Sequence, residues 1–152
     1  MNKRDTAMAL FKDGYNCSQA VLGAFAEDLG LEFNTAMRLA SSFGGGMGRM
    51  REVCGTFSAL LMVIGIKLGY DEPKAFDKKS EHYKLVQEAA EMFRSKHGSI
   101  ICRELLGLNL KSGETDNYVP EHRTETYYKK RPCVNIVGDA AEIAEYILNN
   151  EA

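Results

Sequence analysis

The chain contains no Cys-x-x-Cys pair, although it carries four cysteines. That absence removes a local redox clip and the paired knuckles of common zinc sites, and the lack of Cys-x-x-Cys-His removes covalently attached c-type haem. Histidine is scarce: His82, His97 and His122 are too far apart for a local metal motif and each reads as a surface residue. Neither sign of charge dominates, with 19 Lys and Arg against 21 Asp and Glu, a net charge of −2 and a pI near 5.9. A nucleic-acid partner is therefore not expected. The longest uncharged run, Val53 to Ile66, falls short of the ~18 residues a membrane span needs, so no membrane association is expected. No stretch alternates strictly enough to demand a strand. The glycine-rich segment at Gly44 lacks the third glycine of a dinucleotide fingerprint, and no Gly-Lys-Ser/Thr follows for a phosphate loop.

The 152 residues, 45% hydrophobic and 26% charged, suffice for one core without covalent staples, and we expect one domain over 1–152. The first residues resemble neither a signal h-region nor a transit peptide, so a cytoplasmic location is expected. In that reducing setting four cysteines suggest metal binding, reversible redox work or burial more than static disulfides.

Helical spacing dominates. Thr6 to Lys12 reads as a first helix; Asn16, with Gln19 three residues on, forms a capping box that puts Cys17 in the first turn of a second. Asn34 opens a third, which runs into Gly44-Gly45-Gly46-Met47-Gly48-Arg49. An apolar helix carrying Met50, Val53, Cys54, Phe57, Leu61, Ile64 and Leu68 is expected to be long and central, with Cys54 on its core face. Lys74 to Lys96 reads as a solvated outer helix with Phe76, Tyr83, Val86, Ala90 and Phe93 inward. A helix of that length in a hydrophobic bundle is compatible with a homodimer. Ser99 caps a short helix, Ile100 to Leu106, and Pro132-Cys133 starts the last. Between them Asn109 to Pro132 shows little periodicity and reads as a lid or a long loop, with Tyr127 and Tyr128 as anchors. The expected fold is an all-α bundle of about six or seven helices.

Cys17, Cys54, Cys102 and Cys133 lie 37, 48 and 31 residues apart, so only the fold can gather them. Cysteine is often simply buried, but a position at a helix start favours thiolate. The four sulfurs are the candidate catalytic residues of a thiol-dependent oxidoreductase; as alternatives, the same four ligate a metal ion or an iron–sulfur cluster, or belong to a non-catalytic helical module. The redox partner and any cofactor are not specified by these residues. Gly44, Gly45, Gly46 and Gly48 with Arg49 are the candidate cofactor-binding residues, because bare backbone N–H groups beside Arg49 and Arg51 can form an anion-binding concavity; a tight turn is the alternative.

Gly14 to Leu22, Phe43 to Met50, Glu52-Val53-Cys54-Gly55, Ser99 to Gly107 and Cys133 together resemble the C_GCAxxG_C_C family, small bacterial and archaeal proteins described as redox-active. The resemblance spans nearly the whole chain and maps the four family cysteines onto Cys17, Cys54, Cys102 and Cys133. It implies that these four form a redox or metal site. Where the signature has alanine and a final glycine, this chain has Thr56 and Ala59, both adding bulk near Cys54.

Overall fold

A computed structural model describes residues 2–151. Among them no strand occurs, and the fold is all-α. In chain order the helices are α1 (Lys3–Lys12), α2 (Cys17–Phe25), α3 (Phe33–Ala40), α4 (Gly55–Leu68), α5 (Phe76–His97), α6 (Cys102–Leu105), α7 (Glu125–Lys130) and α8 (Cys133–Glu151). Helix α8 packs against α1, α2, α4 and α5, and α2 packs against α1, α3 and α4. Their shared core holds Phe11, Leu22, Phe25, Leu60, Ile64, Phe93, Val137 and Ile147, all essentially inaccessible. Phe57 and Phe93 meet edge to face at 5.6 Å. Among the described residues no helix is long and apolar enough to cross a membrane.

The capping box at α2 forms as its sequence requires: Asn16 Oδ1 accepts from the Gln19 N–H at 2.9 Å, and Gln19 Oε1 accepts from the Asn16 N–H at 3.0 Å. The apolar helix differs from expectation. It begins at Gly55, not Met50, and its 14 residues are fewer than the 22 of α5 or the 19 of α8. A non-local pairing interrupts the apolar spacing. Val53 bridges antiparallel to Ile101, the Cys54 N–H donates to Ile100 O at 2.7 Å, and the Cys102 N–H donates to Glu52 O at 2.6 Å. Backbone groups committed to that pairing cannot join a helix. Nor is α4 buried all round, since Ile66 is 47% exposed.

The first half of α5 reaches beyond the core. Phe76 and Tyr83 are exposed rather than inward, and burial starts at Ala89. Ser99 does not cap α6 directly: it accepts from the Ile101 N–H and donates to Glu104, while Ile101 occupies the cap position and Cys102 opens the helix. The polar stretch contains α7, which periodicity could not reveal in six residues; Thr124 caps it by accepting from the Tyr127 N–H. His97 lies largely buried against Asp139 and Phe93, not at the surface.

Candidate active site: four thiols around one cavity

Each cysteine stands at the start of a helix. Cys17, Cys102 and Cys133 are the first residues of α2, α6 and α8, and Cys54 immediately precedes α4. Cys54 is thus a helix-entry residue, not a member of the apolar face. All four, with the glycine segment, line a single cavity of about 280 Å³. The 51–54 and 100–103 pairing holds Cys54 and Cys102 on adjoining backbone, and Pro132 O, accepting from the Ile136 N–H, starts the turn that presents Cys133.

The glycine segment forms a left-handed turn. Gly45, Gly46, Met47, Gly48 and Arg49 all have positive φ, and Arg51 follows at +59°. A residue with a Cβ costs about 1–2 kcal/mol in that conformation, so Met47, Arg49 and Arg51 store strain that the site must hold. Arg49 and Arg51 are held by one carboxylate: Asp116 Oδ2 accepts from Arg49 Nη2 at 3.1 Å and lies 3.0 Å from Arg51 Nη2. Two glycines permit close approach to cysteine side chains. A Cβ on Gly46 would lie 2.6 Å from Cys102 Cβ, and one on Gly55 would lie 2.7 Å from Cys17 Sγ.

Burial governs the thiols more than the helix ends do. It raises the Cys17 pKa, against the Gly45 and Ser18 backbone N–H groups, which favour the anion, while charge on Cys102 adds to the rise. Cys54 is pushed up to about 12 by burial and then by Cys17, against its contact with Thr56, whose Oγ1 lies 3.1 Å from the sulfur. Cys133 is likewise pushed up to about 12, by burial and then by the charges of Cys17 and Cys102, with Arg131 and Arg123 opposing. The expectation that a helix start makes Cys17 and Cys133 thiolate-like is therefore corrected. Desolvation outweighs partial charge at a helix end when the sulfur is enclosed. Arg51, only 5% exposed, donates from Nη1 to Cys102 Sγ at 3.6 Å. Its own pKa is raised: burial opposes its charge, but the contacts with Cys102 and Asp116 prevail.

The cysteines and glycines singled out from sequence thus border one space, and Arg49 lines it too. Sequence reading missed Arg123, Arg131 and Asp116, which sit in the stretch without periodicity, and took Thr56 only as bulk. Tyr127 lines the cavity as well, its pKa raised to about 12 by burial and then by Cys133, whereas Tyr128 does anchor, donating to Lys12 O. Among the described residues no three His, Cys, Asp or Glu side chains are grouped so as to hold a metal ion. No curated protein and no solved structure matches the chain. A family model described as "Putative redox-active protein (C_GCAxxG_C_C)" matches residues 15–147, a span holding all four thiols and the glycine turn, and the chain belongs to that family.

Proposed function

We propose that the protein is a dithiol oxidoreductase in which Cys102 attacks a disulfide and Cys17 resolves the mixed intermediate. The observation that carries this reading is the sharing of one cavity by all four free cysteines. Cys102 is the sulfur that Arg51 contacts with a fixed positive charge, the environment a nucleophilic cysteine needs. Cys17 borders the same cavity and feels the charge of Cys102, which supports it as the resolver. In the first step the Cys102 sulfur bonds one substrate sulfur and the other leaves as a thiol. In the second, Cys17 attacks Cys102 Sγ, the second substrate sulfur leaves, and a Cys17–Cys102 disulfide remains. Two electrons pass from the protein sulfurs to the substrate, and the two cysteine protons go with them. The glycine turn aims the Gly45 N–H at Cys17 and so supports the resolving anion. Such a centre belongs in a reducing compartment, the cytosol, where another thiol system returns the disulfide to the dithiol.

Thiol counting on anaerobically purified protein before and after a mild disulfide oxidant tests this reading. Thiols should disappear two at a time and return with reductant, Cys102→Ser should abolish the fast phase, and Cys17→Ser should accumulate the mixed disulfide. Four thiols that stay unreactive until denaturation would overturn it. So would stoichiometric zinc, or iron with sulfide, in the purified protein.

A further inference from the structure

The cavity carries more cationic groups than its carboxylates balance. Arg49, Arg51, Arg123 and Arg131 all border it. Arg49 and Arg51 share Asp116, and Arg131 is paired with Glu121. Arg123 donates to two carbonyl oxygens, Phe11 O at 2.8 Å and Tyr15 O at 3.1 Å, and its guanidinium lies 4.0 Å from the Phe11 ring centroid and 5.2 Å from that of Tyr127, but among the described residues it forms no ion pair. Arg131 keeps its Nε buried with no hydrogen-bond partner. Neither Cys54 nor Cys133 supplies the missing negative charge near neutral pH, since burial pushes both up to about 12. A half-buried guanidinium with no anionic partner, beside a second with an unused donor, calls for an anion. A carboxylate matches the planar fork of arginine better than a point anion does.

We propose that the oxidant taken by this site is a low-molecular-weight disulfide bearing carboxylates, with Arg123 and Arg131 holding an acid group while the sulfur–sulfur bond meets Cys102. This inference rests on the dithiol reading above and names its substrate class. The balance is that of the two-step exchange: R–S–S–R and two cysteine thiols give one protein disulfide and two R–SH, with no further reactant. A cavity of about 280 Å³ lies at the lower edge of the roughly 300–1,000 Å³ of small-molecule pockets. That size suits a compact disulfide better than a peptide segment.

Three disulfides of similar size and different charge provide the test: dithiodiglycolate (acidic), bis(2-hydroxyethyl) disulfide (neutral) and cystamine (cationic). The rate of thiol loss from the reduced protein is measured with each and divided by the rate of dithiothreitol with the same compound, which removes intrinsic reactivity. The acidic disulfide should exceed the neutral one by about tenfold or more, and cystamine should be slowest, the range expected for charge focused in a cleft. Arg123→Gln and Arg131→Gln should each lower the acidic-to-neutral ratio, whereas Arg123→Lys should retain much of it. Arg123 also ties down two carbonyl groups, so if its glutamine variant fails to fold, Arg131→Gln and Arg123→Lys still decide the matter. Equal normalised rates for all three compounds would overturn the acidic-substrate inference while leaving dithiol chemistry standing. The same holds for a preference unchanged in Arg131→Gln. No thiol loss with any compound would overturn both.

Discussion

A methyl group at Gly55 would meet Cys17 Sγ at 2.7 Å and Phe43 O at 2.6 Å. The second of these is backbone, which cannot rotate away. Gly55→Ala should therefore destabilise the fold by about 1–3 kcal/mol, the usual range for overpacking, and displace the Cys17 sulfur from the Gly45 N–H. Urea unfolding reads the first effect and the alkylation rate of Cys17 the second; an unchanged rate with unchanged stability would show that the close approach is unimportant. A glycine beside Cys54 is by itself a sign that another group comes close there. The sequence could not say which group, because Cys17 is distant in the chain. Thr56 shows the opposite limit: its added bulk was legible, but its hydroxyl contact with Cys54 depends on a helix start that only the Val53–Ile101 pairing fixes.

At the scale of elements, local signals located the helix ends and non-local ones decided the site. The capping box before Cys17 and the proline before Cys133 act over a few residues, so both were readable. The entry of Cys54 and Cys102 depends on two segments pairing across the fold, and apolar spacing continued misleadingly through Met50 and Val53. The left-handed turn was signalled by its glycines, but the stretch that clasps it was not. Asp116 carries that clasp by bridging Arg49 and Arg51, and Asn117 O also accepts from Arg49 Nε at 2.7 Å. Burial works to raise the Asp116 pKa, yet the Asn117 N–H and the two arginines together hold it below the ordinary value. A carboxylate with a lowered folded pKa contributes stability above its unfolded value of about 3.8, and the contribution is lost as pH falls through the lower folded value. Asp116→Asn should thus mimic acid at neutral pH. Limited proteolysis should cut the 114–121 segment faster in the variant, with a global stability loss of no more than about 1 kcal/mol because the group is partly exposed. An unaltered cleavage pattern would mean that the hydrogen bond of Asn117 suffices.

Across the whole molecule, gathering four thiols into one enclosed space makes the fold sensitive to alkali. Cys54 and Cys133 have folded pKa values of about 12 against an ordinary 9.0, and Tyr127 about 12 against 10.0. In each case burial is the largest cause. Because the folded values lie above the unfolded ones, the unfolded chain releases these protons first. Their contribution to stability is complete below about pH 9 and is lost as pH rises towards 12. The slope should approach about 1.4 kcal/mol per pH unit for each thiol within that window. Urea midpoints of the fully reduced protein, measured under reductant from pH 7 to 11, should be flat at first and fall above pH 9. Cys54→Ser replaces a titrating sulfur with a hydroxyl that does not ionise there, and should reduce the slope while leaving the flat region flat. A wild-type midpoint that stays level through pH 11 would mean that the thiols open to solvent more readily than their enclosure implies, and the charge imbalance around Arg123 would then lose its neutral neighbours. A falling midpoint with a reduced slope in Cys54→Ser would instead tie stability and site chemistry to one cause, the desolvation of sulfur at the junction of α2, α4, α6 and α8.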